Sequence, residues 1–321
     1  MLTFADIEAA AQRLAGHATI TPVLRTEQDD TQIFIKCENL QRTGSFKFRG
    51  AFNTLAQLTA AQRQQGVVAC SSGNHAQGVA LAAQILKMQA TIVMPRDAPQ
   101  AKIDQTRGYG AEVILYDRER ESREEIAAAE ASRRGAELVW PYDDYRVMAG
   151  QGTCALELMS QLAALDCNID AVLVPCSGGG LTAGVATALA QLAPACQIFT
   201  VEPANFDDHA RSLAEGQRAV NDRRSGSICD ALLAPTPGEL TYAINRERLS
   251  GGLVVTDDQV RAAMRYAFSQ LKLVLEPGGA AALAAVLHHT KFKGQTVAVI
   301  ASGGNVDAQL FATTINPPAT S

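Results

Sequence analysis

Residues 171–184 read AVLVPCSGGGLTAG. A short apolar run stops at Pro175, a serine–glycine run follows, and an alanine-rich stretch begins at once. An apolar run of this length, bounded by turn residues, reads as a fully buried strand. Its passage through glycines into a helix is the repeating unit of a parallel α/β sheet. Glycines carry no Cβ, so SGGGL (177–181) is able to curl until several backbone N–H groups aim at one point. At a helix N-terminus such a point suits a phosphate. The chain has no GxGxxG opening its first βα unit and no GxxxxGK[ST], which argues against a dinucleotide site or a P-loop.

The same alternation runs along the chain. Strands are predicted at IFIKC (33–37), GVVAC (66–70), ATIVM (90–94), EVILY (112–116), ELVW (137–140), AVLVP (171–175), QIFTV (197–201) and TVAVI (296–300). Helices are predicted near 5–15, 46–58, 75–87, 100–108, 121–134, 148–165, 181–192, 257–272 and 278–289. The 257–272 helix opens with a capping box, Thr256 with Gln259. The charged run DRERESREE (117–125) reads as the solvated start of a helix. These elements predict an α/β fold of two open, twisted parallel sheets covered by helices, with a cleft between two domains. The larger is discontinuous, 1–58 and 144–321; the smaller is 59–143.

Two further loops resemble the glycine turn in position. SSGNH (71–75) follows the strand ending at Cys70, and ASGGN (301–305) follows the strand ending at Ile300. Ligands of open α/β sheets bind at these carboxyl ends of strands. SSGNH offers two hydroxyls, an amide and free helix N–H donors, a set suited to a carboxylate. The stretch TGSFKFRG (43–50) sets one lysine between two phenylalanines. A lysine in apolar company loses solvation, its pKa falls, and the neutral amine attacks carbonyls.

Composition bounds the partners. The 321 residues are 47% hydrophobic and 19% charged, which supplies a core for one large or two ordinary domains. A net charge of −5 argues against nucleic acid or an anionic membrane as the main partner. No apolar run approaches the roughly 18–20 residues of a membrane span, and MLTFADIEAA is no signal peptide. Seven cysteines without a CxxC pair fit reduced thiols in a cytoplasmic protein.

Taken in order, TGSFKFRG, SSGNHAQG, PYDD…AGQGT, SGGGL and SGGN resemble the pyridoxal-phosphate-dependent β-eliminating enzymes of the tryptophan-synthase-β fold type. They are most similar to the serine and threonine dehydratases and the serine racemases. The resemblance implies roles for matched positions. Lys47 holds pyridoxal 5'-phosphate as the Schiff-base lysine and serves as general base, with Phe46 beside it. Asn74 bonds the pyridine 3-oxygen, and Ser302 the pyridine nitrogen. Ser177, Gly178, Gly179, Gly180 and Leu181 wrap the phosphate; the family carries glycine where Ser177 stands. Ser71, Ser72, Gly73, Asn74 and His75 embrace the substrate carboxylate. VEPANFDD (201–208) resembles a racemase cation loop, implying Mg²⁺ or Ca²⁺ on Glu202, the Phe206 carbonyl and Asp208.

The implied reaction converts L-threonine or L-serine to a 2-oxo acid and ammonia. Ser72, where racemases keep a hydroxyl, makes racemisation the rival activity. Dehydration of 3-hydroxyaspartate is a third possibility, and its second carboxylate needs a cation that the sequence does not locate. PYDD matches the dehydratase branch, whereas VEPANFDD and SSGNH match the racemase branch. The family also implies a homodimer or tetramer. The short stretch after SGGNVD (302–307) leads to the expectation of a catabolic enzyme without a regulatory domain.

Overall fold

The computed structural model describes residues 1–71, 73–98, 100–117 and 119–316. Its strands are β1 (Val23–Gln28), β2 (Thr31–Lys36), β3 (Val67–Cys70), β4 (Ala90–Pro95), β5 (Glu112–Tyr116), β6 (Glu137–Leu138), β7 (Ala171–Pro175), β8 (Gln197–Pro203), β9 (Gly251–Val255) and β10 (Thr296–Ile300). Six of them form one sheet in the order β1-β2-β10-β7-β8-β9, parallel except for β1. The other four form a parallel sheet in the order β5-β4-β3-β6.

Side-chain alternation explains how helices cover both faces of the larger sheet. Successive residues of a strand point to opposite faces. Ile33 and Ile35 of β2 therefore join Leu173, Phe199 and the Pro277–His288 helix on one side. Phe34, Val172, Val174 and Ile198 join the Tyr145–Ala163 and Gly180–Leu192 helices on the other. All five residues of β7 are buried, as expected for a strand covered on both faces.

All eight predicted strands are present, with ELVW reduced to Glu137–Leu138. The structure adds β1 and β9, and the helices Ala60–Gln65, Asp208–Glu215, Glu239–Arg248 and Ala308–Ile315. The capping box forms as expected, its two side chains satisfying each other's backbone donors. The helix it opens ends at Tyr266 and continues as a π turn over 267–271, stopped by Lys272 in the left-handed conformation. Among the described residues no helix is long and apolar enough to cross a membrane.

The Lys47–Ala56 helix connects the two sheets. It leaves the larger sheet after β2, yet buries Phe48, Phe52 and Leu55 in the core of the smaller one. Its polar anchor is Arg49, which is fully buried. Arg49 grips Glu38 through Nε and Nη2, both at 2.8 Å, and Glu157 through Nη1 and Nη2, both at 2.7 Å. Lys36 completes the network, donating to Glu157 at 2.8 Å and to the Thr21 carbonyl at 2.7 Å. Burial works against the Glu38 carboxylate, but the Arg49 charge and hydrogen bonds prevail and hold it below the usual carboxylate range. Bidentate pairs of this kind fix orientation as well as position.

Arg49→Met leaves Glu38 and Glu157 without their buried partner, and chemical denaturation is expected to show a loss of about 3–5 kcal/mol. Arg133→Met, at the exposed pair with Glu130, is the control and leaves the midpoint unmoved. An Arg49→Met midpoint equal to wild type means that the network does not hold this helix.

Candidate active site

The turn after β7 is shaped by what surrounds it. A Cβ on Gly178 would strike the Tyr142 ring, one on Gly179 the His209 imidazole, and one on Gly180 the Tyr142 backbone. Gly179 also adopts φ +93, which side-chain-bearing residues rarely do. The Gly180–Leu192 helix that follows has no side-chain cap, so its first N–H groups are open to a ligand. The Thr241 hydroxyl donates to the Gly178 carbonyl at 2.6 Å, and the Asn245 amide to that of Gly179 at 3.4 Å. In a trans peptide the N–H points opposite the C=O. The Gly179 and Gly180 N–H groups are therefore turned away from Thr241 and Asn245, and both glycines line a cavity beyond the end of β7.

Lys47 stands in the wall of the same cavity. Its Nζ donates to the Pro141 carbonyl at 2.7 Å and lies 5.1 Å from the centre of the Phe46 ring. Burial lowers the amine from its ordinary value to about 8. Roughly a tenth of it is then neutral at pH 7, against far less than a hundredth for a solvated lysine.

The third wall is the start of the Asn74–Ile85 helix, capped by Gly73 without a side-chain bond. Its first N–H groups are again free of intrahelical partners. Ser71 Oγ accepts from the Gly73 N–H at 3.2 Å. The Asn74 amide donates to Glu276 Oε1 at 2.5 Å and accepts from Asn305 at 2.8 Å. His75 Nε2 lies 3.1 Å from the Val139 carbonyl, and burial drives the ring down to about 3. The ring is thus neutral and engaged elsewhere, which leaves the backbone N–H as His75's contribution to anion binding. Ser72 lies outside the described residues. The Ser302 segment closes the site: its carbonyl accepts from the Phe46 N–H at 3.1 Å, and Ser45 pairs with Gly303.

One cavity therefore brings together Phe46, Lys47, Ser71, Gly73, Asn74, His75, the 177–181 turn and Ser302, although these stretches are far apart in the chain. It also contains residues that the sequence reading did not single out: Lys102, Arg123, Tyr142, Asp230 and Glu276. Arg123, expected at a solvated helix start, is the first residue of the Arg123–Arg134 helix, and its side chain is only 38% exposed. It donates to Glu124 at 2.7 Å and forms part of the cavity wall. Lys102 pairs with Asp230 at 3.1 Å. Glu276 is buried and raised to about 7, by burial first and then by the Asp230 charge. The signal for Glu276 was present in EPGGA, an acid at a helix N-cap beside glycines, but nothing in that stretch says what the acid faces.

The acidic loop lies behind the turn rather than in the cavity. Glu202 and Asp208 are buried, with relative exposures of 0% and 1%. Glu202 accepts from the His209 and Ala210 N–H groups at 2.9 and 2.8 Å. Burial and the neighbouring Asp208 push Glu202 well above the ordinary carboxylate range. Asp208 Oδ1 accepts from Asn221 at 2.6 Å, whereas its buried Oδ2 has no partner.

Fit to pyridoxal phosphate is tested by the ends of that molecule, an aldehyde and a phosphate. The cavity supplies a desolvated amine for the first, and for the second a glycine turn that no larger residue could occupy. The residues fit the group.

Residues 14–303 match the family described as pyridoxal-phosphate dependent enzyme. The chain is 46% identical to an L-threo-3-hydroxyaspartate ammonia-lyase of Pseudomonas, over 97% of each chain. It is 40% identical to the serine racemase of Schizosaccharomyces pombe, over 97% of this chain and 96% of the relative. The crystal structure of a threonine deaminase from T.th. superposes with a TM-score of 0.89 at 42% identity, covering 95% of this chain and 99% of that one.

In cofactor-free protein, acylation of Lys47 followed by peptide mass spectrometry is expected to titrate near pH 8, below the solvated lysines. A midpoint at the ordinary lysine value of 10.5 would show that water reaches the amine.

Proposed function

The chain belongs to the family of pyridoxal-phosphate-dependent enzymes, and on that premise we propose that it eliminates water from a β-hydroxy amino acid with an acidic side chain, 3-hydroxyaspartate. The products are a 2-oxo acid and ammonia. The observation that carries this substrate is Arg123 in the wall of the Lys47 cavity. Serine and threonine have no use for a cation beside their side chains, whereas a second carboxylate needs one. Arg123 also supplies the cation that the sequence did not locate.

Pyridoxal phosphate, when bound, supplies a conjugated ring that spreads the charge left at Cα after proton loss. Lys47 is the amine assigned to the aldehyde, because it is desolvated and free of any acid. Lys102, the other amine in the wall, is tied to Asp230. The 177–181 turn binds the phosphate through its N–H groups. Gly73, Asn74 and His75 present N–H donors to the substrate's α-carboxylate, and Arg123 receives the side-chain carboxylate. Held between them, the substrate offers its Cα proton to Lys47, which takes it as general base. That proton and the β-hydroxyl depart as water. The released enamine becomes an imine and hydrolyses to the 2-oxo acid and ammonia.

Serine and threonine elimination is the second reading. It is favoured by Asp230 and Glu276, acids that already offset Lys102 in the same cavity. Racemisation stays part of it through Ser72, as the hydroxyl that returns a proton to Cα. Glu202, the Phe206 carbonyl and Asp208 are proposed to hold a divalent cation, Mg²⁺ or Ca²⁺ on their oxygens alone. The support is a pair of buried acids with one carboxylate oxygen unpartnered.

A substrate panel with 2-oxo-acid and chiral readouts separates these readings. Arg123→Met is expected to lower kcat/KM for 3-hydroxyaspartate by about 10- to 100-fold, the worth of a hydrogen bond to a charged group. The value for serine should change little. Equal losses on both substrates remove Arg123 as the reader of the side chain. Ser72→Ala is expected to suppress racemisation more than elimination, and a parallel fall would confine Ser72 to substrate binding.

A further inference from the structure

Behind the glycine turn, three buried side chains of different chemistry converge. Ligand atoms of Cys176, Glu202 and His209 all lie within 4.8 Å of one another, and all three residues are buried. Asp208 stands at the edge of this group, its Oδ2 3.9 Å from His209 Nδ1. Three atoms around it are buried without hydrogen-bond partners: His209 Nδ1, Asp208 Oδ2 and Asn245 Oδ1. Buried polar atoms in folded proteins are nearly always satisfied, so three together need a cause.

One ion would take up two of them, His209 Nδ1 and Asp208 Oδ2, which lie side by side. His209 Nε2 faces the Asn245 amide at 3.1 Å. The oxygen and nitrogen of an amide are assigned from their surroundings. With the Asn245 amide turned over, its long 3.4 Å bond to the Gly179 carbonyl is exchanged for one in which Oδ1 accepts from a protonated His209 Nε2. That fixes the tautomer in which the Nδ1 lone pair is free, the usual arrangement of a metal-bound histidine and its outer partner. Nδ1 then lies beside Asp208 Oδ2, on a ring that Glu202 and the Cys176 sulfur also approach. The two backbone N–H groups on Glu202 occupy one lone pair of each oxygen and leave the others available.

We propose that Cys176, Glu202 and His209, with Asp208 beside them, form a mixed sulfur, nitrogen and oxygen site that takes a borderline divalent ion such as Zn²⁺ or Co²⁺ in preference to Mg²⁺ or Ca²⁺. This rests on the reading that a cation is held at Glu202 and Asp208, and it changes that ion's class. Thiolate and imidazole donors select borderline ions, whereas Mg²⁺ and Ca²⁺ take oxygen ligands. Binding exchanges the thiol proton of Cys176 for the metal and releases it to solvent. His209 also packs against Gly179, so the ion would brace the turn from behind.

The test uses the cofactor-loaded full chain, stripped with a chelator and dialysed. Zn²⁺, Co²⁺, Mg²⁺ and Ca²⁺ are then added separately and followed by thermal shift. Bound Zn²⁺ is further examined by X-ray absorption. The expected result is a larger stabilisation by Zn²⁺ and Co²⁺ than by Mg²⁺ at equal concentration, with a Zn–S shell at about 2.3 Å. Cys176→Ser should abolish that shell. His209→Gln, a second variant that spares the sulfur, should weaken Zn²⁺ by about tenfold or more. Stabilisation by Mg²⁺ or Ca²⁺ with an all-oxygen Zn²⁺ shell overturns this inference and leaves the oxygen-ligand reading standing. No shift with any ion overturns both.

Discussion

The guanidinium of Arg49 is the constraint on which the arrangement depends. Two residues after Lys47, it is locked by paired hydrogen bonds to Glu38, just after β2, and to Glu157, on the Tyr145–Ala163 helix. The same short helix drives its phenylalanines into the core of the other sheet. The lysine is therefore held from two sides, by charge toward the larger sheet and by apolar packing toward the smaller. Neither anchor alone would set its direction: apolar packing tolerates rotation, and an ion pair without packing admits water. Close approach of the neighbouring helix makes this possible. A Cβ on Gly150 would meet the backbone at Arg49 and Gly50, and one on Gly50 would meet Gln151.

Desolvation then divides the work among groups of similar chemistry. Lys36 is fully buried and Lys47 part-buried; Lys36 has a carboxylate and two further acceptors, whereas Lys47 has one carbonyl. The first is thereby tied into the Arg49 network, and the second is left free for the nucleophile and base role proposed for it. Glu38 and Glu276 divide in the same way. Glu38 has Arg49 and stays ionised; Glu276 has an amide and a neighbouring acid, and rises to about 7. Burial pushes Lys47, Glu38 and Glu276 alike toward the neutral form, and the opposing charge within reach settles whether that push prevails, as it does not at Glu38.

This division also explains what was legible in the sequence. The loops at 71–75, 177–181 and 301–305 carry their meaning locally, since glycines and hydroxyls at strand ends act through their own backbone. Strands such as β7 were equally plain, being continuous apolar runs. What escaped were elements without such a run. β1, VLRTEQ, is half polar because it is an antiparallel edge, and β9 opens with two glycines. The Glu239–Arg248 helix has a polar sequence and buries few of its residues. At the site, Lys102 and Arg123 sit on helices of the smaller sheet and meet Glu276 from the larger one only through the closed fold. Lys102 lies in QAKIDQ (100–105) and Arg123 in ESREE (121–125), stretches with no glycine turn or aromatic residue to mark them. Lys47 was recognisable because two aromatic residues accompany it; Arg49, more deeply buried, had no such marker.

The charges of the cavity lead one step further. Lys47, Lys102 and Arg123 share the cavity with Asp230 and Glu276, so cations outnumber acids before any ligand arrives. A phosphate and a dicarboxylic substrate add several negative charges to that small volume. Part of this is absorbed by helix N-termini and glycine N–H groups, which carry partial positive charge without a counterion. Glu276, already near 7, absorbs another part by taking up a proton when anions draw near, since like charges raise a carboxyl further. A carboxyl that takes up its proton this readily, bonded to Asn74 and lying beside the site of chemistry, spares the anionic substrate a repulsion that a fixed carboxylate such as Glu38 would impose. The mixture of acids and bases around Lys47 is thus consistent with an anionic ligand: the cations hold it, and the one adjustable acid yields to it.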